Sequence, residues 1–472
     1  MKKKLFYITA IMGATLFGSC SKFLEEKSQS EVIPKTTVDF RELLMGSGYY
    51  PSQEPAAFLY FMDDDVEFNS TFDNGSAVGS STAKMYYPAF SWQPFFVDYN
   101  GLGDPVAQDP GTTGYATYYA WIKGCNAVLD YIDDAIGTQA ERDRVKAEAL
   151  AVRALYYWRL VNLYGDPYNS NPNGLAVPLK LTSTIEEVPT KRATVKEVYD
   201  VIVRDLREAT RLMDPMPVVR TDYHINQPAI HILLSRVYLF MENWEGSVAE
   251  ADKAFEQGSR LWDMTQLTAA YLHNYSNPEV EWLYGGSTQP DQSTYIPSNH
   301  LLGMFDENDA RRKYGFGLSN QNVNYVLVSK LATGVDLRQS IRTSEAVLNR
   351  AEANVQLNQL TPAMNDLNAL RRYRIPNYAD ENITDKAQLL QAIRDERRKE
   401  FCYELFRWFD LRRYGMPSIS HVYKAEPGQP DQTYVLKEKD PMYVLPFPNS
   451  LLIRNPALEQ NPSAKMGERP GN

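Results

Sequence analysis

The segment AEALAVRALYYWRLVNLYGDPY, residues 147–168, constrains the fold of this chain more than any other. Its apolar side chains recur three and four positions apart, from Ala147 through Leu155 to Trp158, which is the spacing of an α-helix. Small residues begin this apolar stripe and large aromatic residues end it, so neighbouring elements can approach its start closely and bury a large area at its end. The sequence therefore predicts a long helix at the packing centre, ended by Gly165 in a left-handed cap.

Helical patterns with the same spacing surround this segment. The other predicted helices cover residues 39–45, 115–136, 194–213, 226–243, 247–258 and 385–414. The spacing of apolar residues from Ala229 to Ala254 is typical of a tetratricopeptide unit, and residues 342–374 form a second unit of the same kind. Such helix pairs bury their faces only against neighbouring pairs. We therefore predict a mainly α fold in which tetratricopeptide-like helix pairs form a scaffold.

Two long segments without sustained periodicity interrupt the scaffold, at about residues 46–114 and 261–335. Both are rich in Gly, Ser, Asn and aromatic residues. A long irregular segment inside a helical protein usually has a function, and the aromatic content here favours an ordered structure. The sequence also contains short strand-like pieces from Tyr434 onward, including YVL and YVLPFP. We predict irregular, aromatic-rich inserts on a helical frame, with a few short strands.

The composition argues against one class of partner. The chain has 472 residues, with 59 Asp and Glu against 49 Lys and Arg, which gives a formal net charge of −10. Nucleic-acid binding requires a basic surface that neutralises phosphate groups. We therefore expect no nucleic-acid partner for this acidic protein.

The first twenty residues have the pattern of an export signal. Three lysines precede an apolar run from Leu5 to Phe17, which is too short to span a bilayer as a helix. Gly18 and Ser19 precede Cys20, an arrangement that resembles a bacterial lipobox in which the cysteine is lipidated. Acyl chains on Cys20 would hold the protein at a membrane surface, although a plain secretory signal is the alternative. We predict a removed signal peptide at residues 1–19, a lipidated tether at 20–38 and one domain at 39–472.

Two cysteines remain after Cys20. Cys125 and Cys402 both lie in predicted helices, and two isolated cysteines make neither a disulfide framework nor a metal site. We expect both to be buried apolar side chains, with a bridge between them left open.

The sequence contains no recognisable catalytic motif. It has no phosphate-binding loop, nucleophile elbow or dinucleotide fingerprint, and its five histidines lack the spacing of metal ligands. Glu396, Glu400 and Glu404 share a helix face and could form the carboxylate pair of a glycoside hydrolase. Nearby arginines favour a salt-bridge network that keeps these acids ionised, without the raised pKa that a proton donor needs. We therefore predict a protein that is not an enzyme and has no cofactor.

One acidic run is a weaker candidate for a metal site. Asp63, Asp65 and Glu67 could hold Ca²⁺ together with Asp64, but the residues after them lack the spacing and the glycine of a calcium loop. We therefore expect no metal and keep calcium at these acids as the minor alternative.

The aromatic residues of the inserts predict a binding surface instead. Rigid aromatic faces can stack against a sugar ring, and neighbouring polar side chains can bind its hydroxyl groups. The candidate glycan-binding residues are Trp92, Tyr99, Asn100, Trp282, Tyr284, Gln289 and Tyr295. The alternative is that most of these aromatic residues belong to the core.

Five segments together resemble the SusD/RagB family of outer-membrane nutrient-binding lipoproteins. In order, they are CSKFLEE from Cys20, LVNLYGDPY, IRTSEAVLNRAEANVQLN, IRDERRKEFCYELFRWFDLRRYG and LPFPNSLLIRNPALEQNP. The resemblance extends over nearly the whole chain, and it implies a fold of tetratricopeptide-like helix pairs with a more irregular ligand-binding half.

The family resemblance also implies a function. Its members are lipid-anchored on the cell surface, where they capture glycans or other nutrients without catalysis and form lids on SusC-like TonB-dependent transporters. We therefore expect an outer-membrane location, an oligosaccharide ligand and a SusC-like partner. The alternatives are a lid that binds peptides or another nutrient, and a tetratricopeptide-type protein-interaction module that binds no glycan. Family motifs lie on the scaffold, so the candidate ligand residues follow only from their positions in the inserts.

Overall fold

The computed structural model describes residues 34–50, 55–70, 77–99, 102–103, 114–184, 188–267, 275–285, 294–318, 325–327 and 339–472. The helices are α1 (Thr37–Ser47), α2 (Ser81–Phe90), α3 (Tyr115–Leu129), α4 (Gln139–Tyr164), α5 (Val195–Met213), α6 (Gln227–Phe240), α7 (Trp244–Glu256), α8 (Asn299–Gly303), α9 (Ala310–Gly315), α10 (Thr343–Gln356), α11 (Leu360–Arg372), α12 (Lys386–Phe401), α13 (Arg407–Arg413) and α14 (Asn449–Arg454). The strands are β1 (Val66–Phe68), β2 (Val280–Tyr284), β3 (Tyr295–Pro297), β4 (Phe316–Leu318), β5 (Tyr325–Leu327), β6 (Gln339–Arg342), β7 (Ile419–Tyr423) and β8 (Gln432–Leu436). The protein is therefore mainly helical with a few short strands, as predicted.

Helix α4 contains residues 147–164 of the segment that the sequence predicts to be the packing centre. It starts earlier than predicted, at Gln139, because Thr138 and Glu141 form a capping box. Every residue from Ala147 to Tyr164 is buried, so the helix is enclosed on all faces rather than along one stripe. It packs against α3 on one side and α5 on another. The prediction of a packing centre is confirmed.

The helix ends at Gly165 as predicted, but the predicted left-handed conformation of this residue is wrong. Gly165 has a φ of −111°, which is extended rather than left-handed. A side chain there would place its Cβ 2.9 Å from the Cβ of Ala176 and 3.0 Å from the carbonyl oxygen of Val161. Glycine therefore permits a close approach of the returning chain at this position.

The helix pairs α6–α7 and α10–α11 form the two predicted tetratricopeptide-like units. Helix α10 of the second unit lies against both helices of the first. The predicted helix 385–414 is two helices, α12 and α13, because Tyr403 and Leu405 between them have φ values of 61° and 62°. Left-handed backbone at non-glycine residues ends a helix.

The described parts of the two inserts contain more regular secondary structure than the sequence predicts. The first contains α2 and β1, and β1 pairs with β3 of the second insert so that Phe68 lies opposite Tyr295. Strand β2 pairs with β6, and β7 pairs with β8. The YVLPFP segment, residues 443–448, is predicted to be strand-like. Its first residue ends the short 3-10 turn Pro441–Tyr443, and the segment lies outside the eight strands given above. Strand pairing between the inserts thus joins distant parts of the chain.

The first insert is also joined to the end of the chain. The side-chain amide of Gln93 donates to the carbonyl oxygen of Arg469 at 2.9 Å, and the backbone N–H of Arg469 donates to Oε1 of Gln93 at 2.8 Å. Both residues are buried.

Among the described residues, no helix is long and apolar enough to cross a membrane.

Candidate functional site

Four of the seven candidate glycan-binding residues lie in the core. Trp92 and Trp282 are 0% exposed, Tyr284 is 2% exposed and Tyr295 is 1% exposed. A side chain without exposed surface cannot stack against a sugar ring, so the structure corrects the prediction for these four and supports the core alternative. Asn100 and Gln289 lie outside the described residues.

Trp92 forms part of a buried aromatic stack. His421 lies between Phe90 and Trp92, with ring centroids 4.1 and 4.3 Å apart, and the Trp92 indole donates to the carbonyl oxygen of Met62 at 2.9 Å. The residue has a φ of 52°, in the left-handed region that a bulky residue rarely adopts. Trp92 therefore holds the insert against β7, which carries His421.

Trp282 occupies an equivalent supporting position under the second insert. Its ring stacks on Tyr284 at 4.5 Å, and its indole donates to the carbonyl oxygen of Tyr223 at 3.1 Å. Tyr295 donates its hydroxyl to the carbonyl oxygen of Ala83 in α2. These polar tips are satisfied inside the protein, which is typical of buried Trp and Tyr side chains.

Tyr99 is the one candidate aromatic residue that the described structure leaves at the surface. Its side chain is 48% exposed, directly after the short 3-10 turn Pro94–Val97. The neighbouring Asp98 accepts from the backbone N–H and the side-chain amide of Asn449, at 2.9 and 2.8 Å. The position of Tyr99 is therefore fixed against the start of α14, and its ring is available to a ligand.

Tyr223, which is not among the predicted site residues, is 49% exposed in the loop between α5 and α6. A tyrosine between two helices carries no sequence signal that distinguishes it from a loop residue. Its ring lies 5.1 Å from that of Tyr275, at an interplanar angle of 77°. The position of the second insert beside this loop, which brings Tyr275 there, follows only from the fold.

Arginines surround the acidic run that we considered for calcium. The carboxylate oxygens of Asp63, Asp64 and Asp65 come within 4.8 Å of one another. Arg407 forms two hydrogen bonds with Asp64, at 2.7 and 2.8 Å, and Arg398 donates to Asp65 at 2.6 Å. Glu67 instead binds the backbone and side chain of Asn299.

The electrostatics of this run favour an ion-pair cluster over a calcium site. Burial opposes the charge on Asp64, but Arg407 and Arg398 outweigh it and lower its pKa to about 2. Burial and the neighbouring carboxylates raise the pKa of Asp63 well above its ordinary value. Two guanidinium groups already supply the positive charge that this cluster needs.

The acidic face of α12 is the centre of a buried ion network. Arg374 donates to Glu279 at 2.9 Å and to Glu400 at 2.9 Å. Arg311 donates to Glu396 at 2.6 Å and to Glu400 at 3.0 Å. The acids are ion-paired as predicted, but their arginine partners come from other elements. The arginines of α12 that the sequence places beside them pair elsewhere, Arg397 with Asp410 and Arg398 with Asp65.

The network leaves no proton donor on this face. Burial opposes ionisation of Glu396, but Arg311, Lys399 and Arg371 outweigh it and lower its pKa. The pKa of Glu400 is held well below its ordinary value in the same way, chiefly by Arg374. Glu404 is paired with Arg342. A general acid requires a raised pKa, so these carboxylates do not form the acid/base pair of a glycoside hydrolase.

Cys125 and Cys402 are both buried and do not form a disulfide, and their thiols donate to the carbonyl oxygens of Gly48 and Lys399. The prediction that both are buried apolar side chains is confirmed, and the bridge that the sequence leaves open is not formed.

Two family models match this chain. The model for starch-binding proteins that associate with the outer membrane matches residues 22–239, and the model for the SusD family matches residues 306–463. The chain belongs to the SusD/RagB family. The first match covers α1 to α5 and nearly all of α6, and the second covers the end of the second insert and α9 to α14.

Relatives of this SusD/RagB protein match it over almost their full length. SusD-like protein P25 of Formosa agariphila is 21% identical, in an alignment that covers 96% of this chain and 97% of the relative. A SusD-like carbohydrate-binding protein of Bacteroides vulgatus has a TM-score of 0.67 at 22% identity, covering 90% of this chain and 97% of the other. A SusD superfamily protein of Bacteroides thetaiotaomicron has a TM-score of 0.68 at 20% identity, covering 90% and 100%. At these identities the solved structures establish the fold alone.

Proposed function

We propose that this SusD/RagB protein captures oligosaccharides at the cell surface without cleaving them, and delivers them to a SusC-like TonB-dependent transporter. The match of residues 22–239 to a family described as starch-binding and associating with the outer membrane carries this proposal. A mainly helical scaffold supports it, because such a frame can hold the described parts of the inserts in fixed geometry.

The absence of catalysis belongs to the same proposal. Glu396, Glu400 and Glu404 are the carboxylates that the sequence places on one helix face, and arginines neutralise all three in the interior. Binding without bond cleavage requires no proton donor, only stacking surfaces and hydrogen-bonding groups.

Tyr99 is the candidate contact residue for the glycan. Its exposed ring can stack against the C–H face of a sugar, and Asp98 and Asn449 beside it hold its backbone in place. Removal of one stacking aromatic ring costs a binding site about 0.5–1.5 kcal/mol beyond the area lost, which is a readily measured weakening.

Affinity electrophoresis tests the proposal with native gels that contain neutral polysaccharides such as amylopectin, laminarin, galactomannan or xylan. We expect retardation of the wild-type protein in at least one gel and weaker retardation of Tyr99→Ala. The matched control is Tyr131→Ala, because Tyr131 is 60% exposed near the end of α3. Failure of the wild-type protein to bind any glycan, together with binding to peptides, would favour the peptide-binding alternative.

Lipidation at Cys20 is the proposed anchor. Several acyl chains, at roughly 0.8 kcal/mol per buried methylene, retain a protein at a membrane. We expect Cys20→Ser to move the protein from the membrane fraction to the soluble fraction of cells that express it. Unchanged membrane association of this variant would remove Cys20 as the anchor.

The transporter complex requires a separate measurement. We expect the protein, extracted in detergent with its anchor intact, to co-purify with a SusC-like transporter. Tyr99→Ala should leave this complex intact while it weakens glycan binding. Loss of the complex in Tyr99→Ala would assign this face to the transporter instead of the ligand.

A further inference from the structure

The loop between α5 and α6 presents an exposed aromatic pair that the proposed ligand surface around Tyr99 does not include. We propose that Tyr223 and Tyr275 form a second stacking site for a neutral sugar ring. This inference rests on the proposed function and extends it to a further subsite of the same class of ligand.

The backbone of this loop is held in an uncommon conformation. Thr221 and Tyr223 have φ values of 71° and 61°, in the left-handed region that β-branched and bulky residues rarely adopt. Such conformations persist only where the surrounding structure fixes them, and they cluster at ligand-binding sites. This backbone turn leaves 49% of the Tyr223 side chain exposed.

Buried groups fix the loop from below. The indole of Trp282 donates to the carbonyl oxygen of Tyr223 at 3.1 Å, and the hydroxyl of Tyr49 accepts from the backbone N–H of Ile225 at 3.1 Å. The backbone N–H of His224 donates to Oδ1 of Asp222 at 3.1 Å. The loop is therefore held before any ligand arrives, which lowers the entropy cost of binding.

A second set of contacts joins the loop to helix α4. Nδ1 of His224 lies 2.6 Å from Oε2 of Glu148, and the Tyr49 hydroxyl donates to the same oxygen at 3.0 Å. Glu148 is fully buried in the packing centre of the protein. The exposed tyrosine thus stands on a rigid base rather than on a mobile loop.

Polar side chains for the hydroxyl groups of a sugar lie beside this loop. Arg144 donates to Oδ2 of Asp222 at 2.9 Å, and Arg41 approaches the same oxygen at 3.5 Å. The side chains are partly open to solvent, at 24% for Arg144, 26% for Asp222 and 42% for Arg41. Guanidinium and carboxylate groups form strong hydrogen bonds with hydroxyl groups.

The charge balance selects a neutral ligand. Two guanidinium groups, on Arg41 and Arg144, face two carboxylates, on Asp222 and Glu148. A uronate or sulfate group would meet the carboxylate of Asp222 as well as the arginines, which removes the net attraction that an acidic glycan requires. A neutral hexose gains hydrogen bonds from both signs of charge and stacks on the tyrosine ring.

The test compares variants at Tyr223 in the full protein by affinity electrophoresis, in whichever neutral polysaccharide gel retards the wild-type protein. Tyr223→Gly removes the ring and suits the left-handed backbone, and Tyr223→Asn provides a second residue type that tolerates this conformation. We expect both to weaken binding roughly three- to tenfold, the effect of one aromatic contact. Tyr223→Phe, which keeps the ring, should stay within about twofold of wild type.

The matched control is Tyr131→Gly, which removes a tyrosine that is 60% exposed near the end of α3. We expect it to bind as wild type does. Unchanged binding of Tyr223→Gly and Tyr223→Asn, in a wild-type protein that does bind, would overturn the second site and leave the proposed function standing. A wild-type protein that binds no glycan would overturn the proposed function itself. Stronger retardation in alginate or pectin than in neutral gels would also overturn the assignment to neutral sugars.

Discussion

The protein has two kinds of buried cluster, and they differ in what their sequence reveals. The face of α12 buries charge, with Glu396 and Glu400 surrounded by arginines from α9 and from the end of α11. The inserts bury aromatic rings, with Trp92 against His421 and Trp282 against Tyr284. Buried charges are strongly destabilising unless each one is paired, so the charge cluster requires specific partners. Buried aromatic rings are stabilised by the apolar area they bury, and only the polar groups of Trp and Tyr need a hydrogen bond.

This difference explains why the prediction for one cluster agrees with the structure better than the prediction for the other. Charged residues spaced along a helix have few structural solutions, so a paired network could be predicted from their sequence. An aromatic residue in an irregular segment can face either way, because burial of its ring depends on contacts with residues far along the chain. The sequence therefore predicts the pairing of the acids correctly, although their arginine partners lie elsewhere in the chain. For the buried aromatic candidates, the core alternative is the one that the structure supports.

The largest effect is expected from a substitution that breaks the charge cluster, which is the buried ion network around Glu396 and Glu400. We expect Arg374→Met to lower the free energy of unfolding by roughly 3–5 kcal/mol, since it leaves Glu279 and Glu400 buried without their shared partner. Denaturant unfolding measures this loss. Arg372→Met is the matched control, because Arg372 pairs with Asp380 at the surface and should change stability by less than about 1 kcal/mol. Equal losses in the two variants would contradict the network as a buried unit.

An aromatic substitution in the scaffold gives the next largest effect. Trp158 is 1% exposed and contacts Phe240 and Phe409, each at 5.2 Å between ring centroids. We expect Trp158→Ala to cost about 3–4 kcal/mol through the cavity it leaves. Thermal melting with and without glycan separates stability from binding in this variant. A variant that melts as wild type does would remove Trp158 from the packing centre.

Trp92→Ala extends that comparison to an insert. Because Trp92 is as fully buried as Trp158, we expect a loss of stability rather than a selective loss of glycan binding. Denaturant unfolding of this variant measures its stability, and affinity electrophoresis of the same sample measures its glycan binding. Normal stability with lost binding would restore Trp92 to the ligand surface.

The smallest expected effect is a pH dependence within the charge-rich scaffold. His231 lies 2.6 Å from Glu250 and 3.0 Å from Asp214. Burial lowers the pKa of His231, but hydrogen bonds and charges of the two acids outweigh it, so the pKa is raised above 6.5. Its contribution to stability is complete below the unfolded-state pKa near 6.5 and is lost as pH rises through the higher folded-state value.

His231→Gln makes this dependence measurable. We expect the difference in unfolding free energy between wild type and His231→Gln to be larger at pH 6 than at pH 9. Lys253→Gln is a control for a surface charge near Glu250, since the Lys253 side chain is 47% exposed. A gap that stays constant with pH would mean that His231 does not carry the charge.

Much of the scaffold follows from the sequence, whereas most of the candidate site does not. Periodic apolar spacing located α4 and the two helix pairs, because a helix face must repeat every three to four residues. The break between α12 and α13 was missed because Tyr403 and Leu405 give no sequence signal for a left-handed backbone. Tyr99 and Tyr223 are exposed for reasons of tertiary contact alone, and composition could not separate them from Trp92 or Trp282.

The pairing of Gln93 with Arg469 has a consequence for the way this chain acquires its structure. The two residues are 376 positions apart, and β1 pairs with β3, which lies more than two hundred residues later in the chain. Contacts of such sequence separation form slowly, because a long loop must close before they stabilise anything. The first insert therefore stays without its final partners until the whole chain has emerged, and a chain ended before Arg469 leaves the polar groups of Gln93 without their buried partners. Premature termination near the end of the chain should expose apolar surface around residue 93, far from the point where the chain stops.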